Sequence, residues 1–112
     1  MQDLQMPSPM PDFMDLRGAS GATYRFRVWP PNADHFSAAG NFVFLKKTPR
    51  GFGVLLVGST HDLALLRAEL KASGLAASHV LTRLNVARAV RHAEHSDLVA
   101  AYKPVMVREE LT

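Results

Sequence analysis

The 112-residue sequence predicts an α+β domain in which strands come first and two helices follow. Three observations carry that reading. Tyr24, Phe26 and Val28 alternate with Arg25 and Arg27, the two-residue period of a half-buried strand. Residues 54–58, VLLVG, are a continuous apolar run of the kind found in strands buried on both faces. Leu63, Leu66 and Leu70 recur at helical spacing, as a helix with one buried stripe requires.

Taken in order, residues 1–22 read as a flexible N-terminal arm. Pro7, Pro9, Pro11, Gly18 and Gly21 oppose regular structure there, and Met6, Met10, Phe13 and Met14 offer apolar contacts to a protein partner. The domain proper is predicted over 23–107. Its first strand ends at Pro30-Pro31, and PPNADHFSAAG forms a loop. Residues 40–47, GNFVFLKK, make a second strand with Phe42 and Phe44 on one face. TPRGFG, with Pro49, Gly51 and Gly53, is a hairpin turn into the third. Ser59 or Thr60 caps the next helix, Asp62 suits its first turn, and Gly74 ends it. HVLTRL fits a short strand, with a helix nearly as good. A second helix runs over about 86–102 with Val90, Glu94, Leu98 and Ala101 along one side, and Pro104 stops it. Residues 108–112 are left as a C-terminal tail.

Composition narrows the chemistry. The absence of cysteine excludes disulfides, thiolate nucleophiles and cysteine-based zinc sites. No secretory signal or membrane-length apolar run is present, which points to a cytoplasmic protein with no membrane partner. Lys and Arg number 13 against 10 Asp and Glu, and Asp3, Asp12 and Asp15 all fall within residues 1–16. The rest of the chain therefore carries an excess of six positive charges, enough to attract phosphate. A glycine-rich phosphate loop and a serine elbow are both missing.

Several short motifs together resemble the GIY-YIG nuclease family across residues 24–107. Gly40-Asn41-Phe42 stands at the first motif; Leu56-Val57-Gly58, Ser59-Thr60 and Asp62-Leu63 follow the second; Leu98-Val99 and Pro104 match the end of the family domain. The resemblance implies a small, mainly antiparallel three-stranded sheet flanked by helices. It also implies cleavage of phosphodiester bonds with one divalent metal, tyrosine hydroxyls, an Arg on the phosphate and a Glu on the metal. Carried across position by position, the two tyrosines are Phe42 and Leu56, the Arg position is Leu66 and the Glu position is His95. Arg67 and Glu94 each sit one residue away, and one residue turns a helical side chain by about 100°. The resemblance thus implies a nuclease-like domain without nuclease chemistry, no catalytic residue and no cofactor. In the alternative, an active nuclease uses Arg67 and Glu94 with Mg²⁺ or Mn²⁺. A third reading is a protein-interaction module that works through the arm.

Charged candidates complete the reading. Arg25, Arg27, Lys46, Lys47, Arg50 and Arg67 are the candidate contacts to a DNA or RNA backbone, with Trp29 placed to stack a base. Arg83, Arg88 and Arg91 either extend that patch or belong elsewhere. Glu94 on a packed helix side needs a partner, for which Arg67 or Arg91 is the candidate. His92 and His95, at i and i+3 with Asp97 nearby, are a pair of metal-ligand type lacking an evident third ligand. His61 follows the Gly58 turn, where it either meets an anion or lies exposed.

Overall fold

A computed structural model describes residues 12–112. The strands are β1 (Phe13–Arg17), β2 (Thr23–Trp29), β3 (Gly40–Thr48), β4 (Gly51–Thr60), β5 (His79–Leu84) and β6 (Met106–Leu111). A 3-10 turn at Leu63–Leu65 runs straight into α1 (Leu66–Ser73), and α2 is Arg88–Tyr102. The strands form one sheet in the order β1-β2-β5-β3-β4-β6, antiparallel throughout except for the β4/β6 pair.

The expected three-stranded sheet is therefore corrected to six strands. The ambiguous segment HVLTRL is β5, inserted between β2 and β3, where Thr82 faces Arg27 on one side and Phe42 on the other. Val80, Leu81 and Thr82 are all buried, so this strand shows no polar alternation to betray it. β1 lies within the stretch read as an arm, and β6 takes in most of the stretch read as a tail. β1 does alternate, with Met14 and Leu16 turned to the core and Phe13, Asp15 and Arg17 exposed or facing outward. Its five residues are too few for the period to stand out beside Gly18 and Gly21. β6 carries Arg108, Glu109 and Glu110, charges that read as a solvated tail until its neighbour β4 is known.

Alternate residues of the sheet build two cores. Phe26, Val43, Leu45, Val57 and Leu81 pack with Leu98 of α2 on one face. Phe42, Phe44, Leu56 and Val80 pack with Leu63 and Leu66 on the other, under the 3-10 turn and α1. Each fully buried side chain of this size contributes about 1.5–3 kcal/mol.

The helix ends depart from expectation in instructive ways. Asp62 caps the turn before α1 by accepting from the Ala64 N–H at 3.0 Å, while Ser59 and Thr60 remain in β4. Thr60 instead donates its hydroxyl to the Leu111 carbonyl at 2.7 Å, which anchors the end of β6. Gly74 closes α1 in the left-handed conformation, φ 69°. α2 begins at Arg88, and its buried residues are Arg91, His95 and Leu98. That stripe is turned from the expected one, leaving Val90 exposed. The rotation occurs because the Arg91 guanidinium finds carboxylate and carbonyl partners beneath the helix.

Candidate nucleic-acid interface

The positions that match the nuclease motifs do not converge on a groove. Phe42, Leu56 and Leu66 are buried together in the apolar cluster under α1. Gly58 lies against the Phe42 ring so closely that a Cβ would come within 2.2 Å of it. Gly40 is equally confined, against the Arg83 carbonyl and Leu63. His95 approaches from the opposite side of the sheet, on α2, where its ring hydrogen-bonds the Gly58 backbone. Its Nδ1 is buried without a partner, and burial pulls its pKa below the ordinary histidine value. Arg67 is exposed on α1 and pairs with Asp34 at 3.2 Å. Glu94 lies beneath α2, held by Arg83 at 2.8 Å and by Asn85 at 3.0 Å. Its partner is thus Arg83, not Arg67 or Arg91. Arg67 and Glu94 are consequently on opposite faces of the sheet.

These residues do not fit a divalent metal. One buried imidazole and three hydrocarbon side chains, divided between two faces, supply no carboxylate or water-binding cradle. Among the described residues, no group of three or more His, Asp or Glu side chains has an arrangement that holds a metal ion. His92 stands between Glu109 (3.3 Å) and Glu110 (3.5 Å). Asp97 points elsewhere: it accepts from the Ser20 amide and hydroxyl and from the Tyr24 hydroxyl. Those bonds, first of all the Ser20 hydroxyl, hold its pKa below the ordinary carboxylate value and fasten the β1–β2 turn to α2.

The polar layer under α2 is a structural network. Arg91 forms a bidentate pair with Glu110 (2.8 and 3.0 Å) and donates to the Asn85 and Val86 carbonyls. The pair holds the Glu110 carboxyl down to a pKa of about 2. Asn85 links Asn41 to Glu94, and Asn41 donates to the Arg91 carbonyl. Arg91 and, more loosely, Arg88 are committed to carboxylates here and do not extend the patch of β2. Arg83, although paired with Glu94, also donates to the Arg25 carbonyl and borders a cleft beside β2.

An open site does exist at the other end of the sheet. Among the described residues, α1 and the 3-10 turn cover Phe42, Phe44, Leu56 and Val80 on their face, and no helix covers the stretch holding Phe13, Arg25 and Arg27. Strand alternation places Arg25, Arg27 and Trp29 there, and the register sets Phe13 directly opposite Arg27. They line a cleft of about 540 Å³ together with His35 and Phe36 from the 30–39 loop and with Thr82 and Leu84 of β5. The Arg25 and Arg27 guanidiniums lie 5.6 and 5.0 Å from the centroid of the Phe13 ring. Arg25 also pairs with Asp15 at 3.1 Å, and that bond raises its pKa further. Across the cleft, His35 contacts both Trp29 and Phe36, with centroids 4.1 and 4.3 Å apart. Its Nδ1 bonds the Phe36 carbonyl at 2.7 Å, which fixes the ring.

Sequence reasoning found Arg25, Arg27 and Trp29 but missed Phe13, His35, Phe36, Thr82 and Leu84. Phe13 carried a usable signal, its alternation with Met14 and Leu16. The loop aromatics carried none, because loops have no period. Lys46, Lys47 and Arg50 are exposed at the β3–β4 hairpin tip, beyond Leu45 and His79, the last β3–β5 pair, and outside the cleft. Arg67 borders a small adjoining hollow that shares Trp29 with it. His61 is exposed. Met6 and Met10 lie outside the described residues; Phe13 and Met14 belong to β1.

Comparison with protein-family models, curated proteins and solved structures gives no match. Among the described residues no helix is long and apolar enough to cross a membrane.

Proposed function

We propose that the chain is a non-catalytic module that binds nucleic acid through its phosphate backbone at the Arg25–Arg27 cleft. One observation carries this: two exposed guanidiniums and several accessible rings share one uncovered stretch of sheet. Guanidinium forks match phosphate oxygens bidentately, and aromatic rings take bases without regard to sequence. The positive body of the chain adds long-range attraction. The non-catalytic part is supported by the burial of Phe42, Leu56 and Leu66 as hydrocarbon and by the engagement of Glu94 with Arg83 and Asn85.

Trp29 is the sole tryptophan, so its fluorescence reports directly from the cleft. Oligonucleotide added at low salt is expected to quench it, with affinity falling steeply as salt rises. Arg27→Ala is expected to weaken binding and to reduce the salt slope by about one. Unchanged Trp29 emission at low salt, or binding that survives loss of both Arg25 and Arg27, would overturn the proposal. Plasmid incubated with Mg²⁺ or Mn²⁺ is expected to stay intact. Cleavage abolished by Arg67→Ala and Glu94→Ala would show that the chain is a nuclease after all.

A further inference from the structure

The geometry points to single-stranded nucleic acid, rather than duplex, as the occupant of this cleft, an inference that rests on the binding function proposed above. The cleft has two banks, the edge strand β1 with Phe13 and the 30–39 loop with Phe36, and Arg27 and Trp29 lie between them. Phe13 and Phe36 keep 43% and 55% of their surface accessible. Rings left in water recover their burial energy when a flat apolar partner covers them. An unstacked base is such a partner, and it brings a phosphate that the neighbouring guanidiniums can hold. A duplex keeps its base faces stacked inside and offers phosphates, sugars and base edges, none of which covers the face of an aromatic ring.

The spacing agrees with this choice. Arg25 and Arg27 project from the same face at a two-residue repeat of about 6.6 Å, comparable to the step between neighbouring phosphates of an extended single strand. A cleft of about 540 Å³ lies in the range that encloses a small ligand, enough for a base with its sugar. Arg25 and Arg27 would act on the backbone, while Phe36, on the bank away from the arginines, would stack the base.

The test uses the full chain and fluorescence anisotropy of labelled oligonucleotides at low salt: oligothymidylate, oligouridylate and a DNA duplex of equal length. At least one single strand is expected to bind tenfold or more tightly than the duplex, and the tighter of the two identifies the polymer. Phe36→Ala, at a position 55% exposed, is expected to weaken single-strand binding by about 5- to 150-fold, as loss of one stacking ring does, with an unchanged thermal midpoint checking that the fold is kept. Duplex affinity should stay within twofold. Duplex bound as tightly as either single strand, or an equal loss for both in Phe36→Ala, would overturn the inference and leave the phosphate-binding function standing. Binding of neither would remove both.

Discussion

At Gly58 there is no room for a methyl group. The Phe42 ring occupies the space a Cβ would take, and the two residues face each other across β3 and β4. A motif reading treats that glycine as part of a nuclease turn, whereas here its smallness admits a buried ring. The identities of Phe42, Leu56 and Leu66 already told that hydroxyls and a guanidinium were missing. Their meeting in one cluster was not legible, because it depends on which sheet face α1 covers. The consequence is testable at Leu66, which is 5% exposed. Leu66→Arg introduces the side chain that the nuclease resemblance would require at this position, but it buries a charge among Phe42, Leu56 and Leu63. A loss of about 3–5 kcal/mol is expected, the cost of a buried unpaired charge, measured as a lowered urea midpoint. A neutral result would mean that this cluster opens far more readily than its burial implies.

The elements differ in how openly they announce themselves. β2 could be placed from alternation, and β4 from its apolar run, because each spans enough residues for the pattern to register. β5 lacked contrast, β1 lacked length, and β6 lacked hydrophobicity. The last of these is paired with β4 and also tied to α2. Arg91 on the helix grips Glu110 on the strand, and Glu110 sits at a register shift with φ 51°. Its backbone N–H donates to the Ser59 hydroxyl at 2.9 Å, so the irregular backbone is tied on both sides. Glu110→Gln leaves the Arg91 guanidinium, 4% exposed, without its charge partner. The expected outcome is about 3–5 kcal/mol of destabilisation. Amide exchange should accelerate in β6 before it does in β3 or β5, and uniform acceleration across the sheet would contradict this local role.

For the whole molecule, four titrating groups act in the same direction: His95 and His79 in the upper range, Glu110 and Asp97 in the lower. His95 is neutral in the fold because burial lowers its pKa from the ordinary 6.5. The unfolded chain therefore takes up a proton first, and this contribution is full above about pH 6.5 and lost as pH falls below it. Glu110, with a folded pKa of about 2 against 4.5, contributes fully above 4.5 and is lost between there and about 2. Thermal unfolding is thus expected to weaken in two stages on acidification. His95→Gln should diminish the upper stage, which His79 shares, and Glu110→Gln the lower, which Asp97 shares. A profile flat from pH 7 to 5 would exclude the His95 contribution. None of this could be read from sequence: His95 owes its shift to burial and Glu110 to the Arg91 guanidinium, and both depend on how α2 packs on the sheet.

The place of β5 between β2 and β3 has a consequence for how the molecule comes into being. During synthesis from the N-terminus, β1 and β2 emerge first and can close a local hairpin, yet β5, the strand they dock on, has not been made. Trp29 has to wait for Val80, and Arg27 for Thr82. Such long-range pairing is slow because loop-closure entropy is spent before the contacts return it. The proposed binding cleft takes Thr82 and Leu84 as part of its wall, so it is assembled only after three quarters of the chain has been made. A growing chain still on the ribosome, surrounded by RNA, therefore carries the arginines without the finished cleft.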